Sequence, residues 1–335
     1  MAVEKLVLKH LQLLPLTKIC CEYLEPNKLW VVFNDTTLWS VNLCDSPLQW
    51  TKNGPKDGKL EFDNWVFEKA GIFLLTSKHQ LFCGTLDVKQ QILSYKEDRR
   101  IPDILISFIE EAFSCVLHQN ILYLIGAKGF EKQAVQNFPG KPKNSAFANL
   151  SLTGLACEWR KAGWCHDDFH GRIYRFGGQH NNLHHIITSS ASFFSLSGAV
   201  KTWAPISSSL TIPRMWCSAT LHPESQKIFV SGGLDGKNVD ITESIEIFDL
   251  RNQCFIWRKR KLRLPFPLWA HASFCWQNWF FVCDGLRRHS FVNKSIWKRK
   301  LNSKGQFLGD WVEVNILSDP HFDQQDFVQA SFYFA

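Results

Sequence analysis

Two stretches of the sequence end an apolar strand with paired glycines. They are Ile173-Tyr174-Arg175-Phe176-Gly177-Gly178 and Ile228-Phe229-Val230-Ser231-Gly232-Gly233. Each is followed by a second apolar strand and then by a single tryptophan, Trp203 in one case and Trp257 in the other. Self-similarity of this kind is typical of one structural unit copied along the chain. The two stretches therefore predict a repeat architecture before any site is considered.

The rest of the chain continues the pattern. From Thr17 onward, short apolar segments alternate with turn residues, as expected for β-strands. They form six groups of four, and each group ends on an aromatic residue: Trp50, Tyr95, Trp159, Trp203, Trp257 and Trp311. Four-stranded sheets that are apolar on both faces cover one another when they are arranged radially. The sequence thus predicts an all-β fold, a six-bladed β-propeller over residues 16–335.

The repeated segments resemble the kelch family. The resemblance rests on the glycine pairs after second strands, on the third-strand segment Ser244-Ile245-Glu246-Ile247-Phe248-Asp249, on the fourth-strand tryptophans, and on Ile212-Pro213-Arg214 before a first strand. The closing aromatic residues recur about every 52 residues on average, near the roughly 50-residue kelch period. The match is full in the fourth and fifth groups and weak in the first two. We expect the glycines to form sharp turns and the tryptophans to cover seams between blades.

The third group and the two termini are less regular. The last apolar segment, Phe327–Phe334, is suited to close the ring by joining the first blade, as terminal strands do in kelch propellers, although Ile19–Leu24 also offers an opening strand there. Six blades closed by the C-terminal strand is the preferred arrangement, and an incomplete seventh blade is the alternative. Residues 1–15 follow a 3.6-residue period, which predicts a short amphipathic helix. By resemblance, this helix is a remnant of the BACK region of a BTB–BACK–kelch protein.

The strands predicted for the third group are Phe113–Leu117, Ile121–Ile125, Ala146–Leu152 and Cys157–Arg160.

Composition excludes several classes of protein. The 335 residues are 45% hydrophobic and 14% aromatic, which is enough for a large core and excludes wholesale disorder. The net charge of +7 suits an acidic partner but is too dispersed for nucleic acid. Eleven scattered cysteines without a C-x-x-C pair indicate buried free thiols in a reducing compartment.

A cytoplasmic protein is therefore expected, because the start carries no signal peptide and no apolar run has membrane-spanning length. No membrane partner is predicted. The nucleus is an alternative, since Arg258-Lys259-Arg260-Lys261 is a basic run of the kind found in localisation signals. The same run is typical of a strand edge protected against pairing, which is the preferred interpretation.

The loops that follow the second strands are the predicted binding surface. The longest, Ala127–Lys143, is typical of a functional loop, with a merely solvated one as the alternative. In kelch adaptors this loop face is where partner peptides, often acidic ones, dock, so the resemblance implies a basic rim here. The partner-binding residues that it implies are Lys128, Lys132, His180, Arg214, Lys237, His271 and Arg287.

One dense polar cluster, Cys165-His166-Asp167-Asp168-Phe169-His170, lies outside these loops, with His184 and His185 further along. Imidazole, thiolate and carboxylate groups are zinc ligands, but the spacing fits no known ligand pattern. The preferred interpretation is that these are polar loop residues at one end of the channel. No metal and no cofactor are therefore predicted. Nucleophile-elbow, zinc-protease and phosphate-loop motifs are missing from the sequence, and an enzyme is not expected.

The leading hypothesis is a non-enzymatic protein–protein interaction module that binds a peptide or protein on the loop face. Many kelch proteins are substrate adaptors of cullin-RING ubiquitin ligases, so the resemblance implies that role and ligase components as partners, with this chain a form without the BTB domain. An actin-associated or scaffolding kelch protein is the alternative, because a basic chain would meet acidic filaments. A propeller enzyme is the third hypothesis.

Overall fold

The structure is a computed structural model. It describes residues 28–32, 38–42, 50–53, 64–68, 71–75, 80–87, 92–100, 112–118, 121–126, 136–137, 151–183, 186–197, 202–236, 240–256, 262–276, 278–283, 285–288, 295–316 and 331–334. Among these residues no helix has the length and apolar character needed to cross a membrane. The predicted helix over residues 1–15 and the predicted strand Ile19–Leu24 lie outside the described residues.

The strands, numbered in chain order, are β1 (Lys28–Val32), β2 (Leu38–Asn42), β3 (Trp50–Asn53), β4 (Asn64–Glu68), β5 (Gly71–Leu75), β6 (Gln80–Asp87), β7 (Ile92–Arg100), β8 (Ala112–His118), β9 (Ile121–Gly126), β10 (Gln136–Asn137), β11 (Ser151–Ala156), β12 (Trp159–Arg160), β13 (Gly163–Asp167), β14 (Arg172–Phe176), β15 (Gln179–His180), β16 (Ala191–Ser195), β17 (Trp203–Pro205), β18 (Arg214–Met215), β19 (Ser218–His222), β20 (Lys227–Ser231), β21 (Leu234–Asp235), β22 (Ser244–Asp249), β23 (Cys254–Ile256), β24 (Leu262–Arg263), β25 (Ala272–Trp276), β26 (Trp279–Cys283), β27 (Ser295–Leu301), β28 (Phe307–Ile316) and β29 (Ser331–Phe334). A short 3-10 helix spans Pro223–Ser225.

Backbone packing divides the chain into two compact units, residues 1–100 with 329–335 and residues 101–328. The first unit holds two four-stranded antiparallel sheets, in the orders β29-β1-β2-β3 and β4-β5-β6-β7. The C-terminal strand pairs with β1, with Leu29 opposite Phe334 and Val32 opposite Ser331. This confirms the prediction that the last strand joins the first group.

Three regular antiparallel sheets form most of the second unit. Their orders are β13-β14-β16-β17, β19-β20-β22-β23 with β24 added beside β22, and β25-β26-β27-β28. They correspond to the fourth, fifth and sixth predicted groups. The second strand of each is buried along nearly its whole length, β20 at every position and β14 and β26 at four positions of five. A strand covered on both faces favours a continuous apolar run, which β26 carries, whereas β14 interrupts it with the buried Arg175.

Aromatic side chains fill the space between these sheets. Phe176 of β14 meets Phe248 of β22 edge to face, with ring centroids 5.6 Å apart. Phe229 of β20 meets Phe280 of β26 in the same way at 5.4 Å. All four side chains are buried, so consecutive sheets share a core.

Two of the tryptophans that end the predicted groups join an outer strand to the preceding sheet by a hydrogen bond. The indole N–H of Trp203 in β17 donates to the carbonyl oxygen of Ala156 in β11 at 2.7 Å. The indole N–H of Trp311 in β28 donates to the carbonyl oxygen of Arg263 in β24 at 2.9 Å. These bonds confirm the predicted seam position for both residues. Trp257 lies outside the described residues.

The third group departs from the predicted antiparallel arrangement. Its order is β10-β11-β9-β8, and β11 runs parallel to β9. The connection over residues 127–150 is long enough to carry the chain back to the edge where β9 began, as a parallel pair requires. The predicted fourth strand, Cys157–Arg160, is also wrong, because β12 instead pairs with β15, which places Trp159 opposite His180.

The described cysteines agree with the expectation of free thiols. Cys157, Cys165, Cys217, Cys254 and Cys275 are free thiols. Burial raises the pKa of the Cys165, Cys217 and Cys275 thiols, which keeps them in the protonated form at neutral pH.

Candidate functional site

The edge of the sheets at which β14, β20 and β26 end is called the glycine end, after the glycines that follow these strands. The residue after β14, Gly177, has a φ of +65°, and Gly178 has +112°. Gly232 and Gly233, after β20, have +60° and +103°. These left-handed conformations confirm the reason expected for glycine at these turns.

Close packing is the second reason for the first glycine of each pair. A Cβ atom added to Gly177 would overlap the backbone oxygen of Arg214, and one added to Gly232 would overlap that of Leu268. The next residue in each pair donates its N–H to the same oxygen, from Gly178 to Arg214 and from Gly233 to Leu268, at 2.8 Å in both cases. Each turn is therefore joined to the segment that leads into the following sheet.

Arg214 lies inside this junction, whereas the sequence predicts it on a basic rim. Its side chain is fully buried. Nη1 donates to the carbonyl oxygens of Gly232 and Ser244 at 3.1 and 3.2 Å, and Nη2 donates to the Ser244 hydroxyl at 2.7 Å and to the Glu246 carboxylate. Because every one of these partners is internal, Arg214 supports the turn from beneath and cannot reach a partner protein.

His271 is also an internal residue. It is 6% exposed, and its Nε2 lies 2.8 Å from the Ser231 hydroxyl at the end of β20. Burial, with a further contribution from the positive charge of Arg214, lowers the pKa of His271 to about 3. The imidazole is therefore neutral near pH 7 and belongs to the seam between two sheets, which corrects its predicted place on the binding surface.

The remaining predicted residues lie in or beside the loops. His180 accepts hydrogen bonds at Nδ1 from the N–H groups of Asn182 and Leu183, at 3.2 and 3.1 Å, and its ring meets Trp159 edge to face. Arg287 is half-buried, with its guanidinium 3.5 Å from the centre of the Phe266 ring. Both side chains hold loop structure at the glycine end. Lys128, Lys132 and Lys237 lie outside the described residues.

Sequence reasoning missed two apolar side chains in the loop after β14. Leu183 is 45% exposed and Ile186 is 37% exposed. The loop that carries them is closed by bonds from His180 N to Ile186 O at 2.9 Å and from Ile186 N to Leu183 O at 2.8 Å. The signal available in the sequence was the presence of leucine and isoleucine among the polar residues of this loop.

The dense polar cluster lies at the opposite edge of the sheets, called here the turn end, where β13 turns into β14. The two aspartates of the cluster bind different histidines. Asp167 binds His170, with Oδ2 and Nδ1 2.6 Å apart, and Asp168 binds His118, with Oδ1 and Nδ1 2.9 Å apart. Burial lowers the pKa of His166, which lies beside His118. His184 and His185 lie outside the described residues.

Comparison with known proteins identifies the fold and no more. No protein-family profile matches the sequence, and no curated protein matches it. Among solved structures, 448 chains match. One of these is the structure of YjhT, with a TM-score of 0.58 and 9% sequence identity, covering 85% of this chain and 95% of that chain. At such low identity the likeness concerns the all-β architecture alone.

Proposed function

We propose that the chain is a six-bladed β-propeller of the kelch type that binds a segment of a partner protein on the loops of its glycine end, without catalysing a reaction. Six sheets of four or five strands among the described residues support the blade number. The glycine turns after β14 and β20 and the fold likeness to YjhT support the propeller type. Loops on a rigid β-scaffold are frequent positions for recognition.

The loop with Leu183 and Ile186 carries the proposal. It is anchored at its base, because the Asn181 N–H donates to the Glu158 carbonyl oxygen at 2.9 Å and the Asn181 side-chain amide donates to the Cys157 carbonyl oxygen at 2.7 Å. His180 fixes the middle of the loop through the two N–H groups it accepts. Two apolar side chains presented on an anchored loop lose little conformational freedom on binding, which favours affinity.

Charge indicates the character of the partner. The chain carries a net charge of +7. Arg288, beyond β26, is 71% exposed, and its Nη2 lies 3.9 Å from an Asp240 carboxylate oxygen that is itself largely exposed. A segment that combines apolar side chains with acidic flanks would complement this surface, and opposite charges would speed the encounter.

Affinity capture with the full chain tests the proposal. The double variant Leu183→Asp with Ile186→Asp should lose at least about tenfold in partner affinity, because burying a carboxylate against an apolar segment is strongly unfavourable. Partners captured by the native chain should be identified by mass spectrometry and then titrated, as purified proteins, by calorimetry. Cullin-RING components and their substrates would assign the adaptor role, whereas actin would assign the scaffolding role.

A matched control is available on β28. Leu308 and Val312 are 42% and 49% exposed there, so Leu308→Asp with Val312→Asp introduces the same charges on another surface. This control should bind like the native chain, and both double variants should keep the native melting temperature within a few degrees. Equal affinity in the two double variants would reject the loop as the binding site.

A further inference from the structure

Two histidines and one aspartate from separate parts of the second unit meet at the turn end. His118 ends β8, His166 lies within β13, and Asp168 follows β13. The rings of His118 and His166 are 5.4 Å apart at 87°, and one ligand atom from each of the three residues lies within 4.8 Å of the other two. The three ligand atoms therefore lie close to one another in space.

One atom of this group has no hydrogen-bond partner in the part of the chain that the structure describes. It is the Nε2 atom of His166, which is buried. A buried nitrogen without a partner is uncommon in folded proteins and needs an explanation. A metal ion bound at this nitrogen supplies one, because the imidazole of His118 and the carboxylate of Asp168, which lie in the same group, are both of the kinds that bind metals.

The neighbouring residues separate this group from the rest of the polar cluster. Asp167 is occupied by His170, to which it is bound through both carboxylate oxygens. The Nε2 side of His118 faces Gly171, where an added Cβ would lie 3.3 Å away, so Nδ1 is the nitrogen directed to Asp168. The Asp168 side chain is 74% exposed and gives an ion a route from solvent.

We propose that His118 Nδ1, His166 Nε2 and the Asp168 carboxylate bind a divalent transition-metal ion such as zinc, with a further coordination position open to water. Imidazole and carboxylate ligands suit such ions, and bonds of about 2.0–2.1 Å place tetrahedral ligand atoms roughly 3.3 Å apart. His118 Nδ1 and Asp168 Oδ1, 2.9 Å apart, already have about this spacing, so binding an ion requires the His166 ligand atom, within 4.8 Å of the other two, to approach them. The ion would join the hairpin β8–β9 to the hairpin β13–β14.

The site is distinct from the proposed partner surface, since it lies at the other end of the sheets. Its test is zinc titration of the full chain, freed of metal with a chelator and kept reduced, by calorimetry. Asp168→Asn and His166→Gln should each lower the affinity by at least about tenfold, as loss of one ligand does. His170→Gln is the matched control, because it removes a nearby histidine that is bound to Asp167, and it should bind zinc like the native chain.

Cobalt absorption distinguishes this site from the cysteines. Co²⁺ bound by nitrogen and oxygen ligands should show d–d bands that disappear in His166→Gln, without sulfur-to-metal charge transfer. A charge-transfer band that persists in this variant would overturn the assignment and place the ion on thiols. Equal zinc affinity in the native chain, Asp168→Asn and His166→Gln, with all three folded by circular dichroism, would also overturn it.

Discussion

The sheet built on β14 and the sheet built on β20 make the same turn with different side chains. In both, the first glycine has a φ near the left-handed minimum, +65° at Gly177 and +60° at Gly232. In both, the second glycine bonds to the segment leading into the next sheet at 2.8 Å. The backbone of the repeat is thus reproduced closely.

The arginine that binds the carbonyl oxygen of the first glycine comes from a different part of the chain in each sheet. In the first sheet, Arg175 of β14 binds the Gly177 carbonyl oxygen and the hydroxyls of Ser190 and Ser192, the latter two at 2.8 and 2.9 Å. In the second sheet, Val230 occupies the corresponding place on the strand, and Arg214 from the preceding segment binds the Gly232 carbonyl oxygen. In both sheets a buried arginine donates to the carbonyl oxygen of the first glycine, although the two arginines come from different places in the chain.

Removing each arginine is the strongest way to test this difference. Arg214→Met leaves the nearly buried Glu246 carboxylate without its cation and should lower the free energy of unfolding by about 3–5 kcal/mol. Arg175→Met leaves only hydroxyls and a carbonyl and should cost about 1–3 kcal/mol. Urea denaturation measures both values.

Glu246→Gln is the control for this test. Combined with Arg214→Met, it should recover part of the lost stability, because no uncompensated charge remains. Combined with Arg175→Met, its effect on the free energy of unfolding should add to that of the single substitution. A larger loss for Arg175→Met than for Arg214→Met would contradict the proposed difference between the two sheets.

Adding a methyl group at a glycine turn tests what the two sheets share. Gly232→Ala should destabilise by about 2–5 kcal/mol, because left-handed strain of about 1–2 kcal/mol is joined by overlap with the Leu268 oxygen and the His271 ring. Gly309 has nearly the same φ, +59°, but an added Cβ would meet nothing within 4 Å. Gly309→Ala should therefore show the strain alone in thermal unfolding, and equal losses at the two positions would exclude a packing role for Gly232.

Over a single pH unit, the smallest expected effect is a pH dependence of stability that arises from His271 in the seam before β25. The residue directly before β25 is His271. The residue directly before β19 is Cys217, which lies next to the Phe176 carbonyl oxygen. The folded pKa of His271, about 3, lies below the unfolded value of about 6.5, so the unfolded state binds the extra proton between these values. Stability should therefore fall by about 1.4 kcal/mol per pH unit as the pH drops below 6.5.

Chemical denaturation at several pH values measures this dependence. His271→Gln keeps a polar group opposite Ser231 but has no proton to gain, so its stability should fall less steeply than that of the native chain below pH 6.5. Parallel pH profiles for the two proteins would show that His271 does not titrate on unfolding.

Local sequence patterns predicted the regular sheets well. Alternating and continuous apolar runs located the strands of the fourth, fifth and sixth groups because strand formation depends on which side chains can be buried over five or six neighbouring residues. The direction of β11 was not predictable in this way, because a local apolar pattern does not say whether a strand pairs parallel or antiparallel with its neighbour β9. The terminal strand was predicted to join the first group, and its pairing with β1 bears this out.

The surroundings of the predicted site residues could not be read from the sequence. Arginine and histidine are common at surfaces, so Arg214 and His271 were interpreted as parts of a rim. Their burial depends on Glu246 and Ser231, which are distant in the chain and compensate the loss of water. His118 likewise reaches Asp168 only because two hairpins meet.

The sequence by itself determined the strands of the fourth, fifth and sixth groups and the glycine turns, because each of these is set by the conformational limits and burial of consecutive residues. The tertiary structure alone decided which polar side chains lie inside the seams and which face solvent. It also decided that Leu183 and Ile186 are presented on an anchored loop. The physical reason is that burial of a polar group is set by its partners, and those partners are brought together by packing between sheets rather than by neighbourhood in the chain.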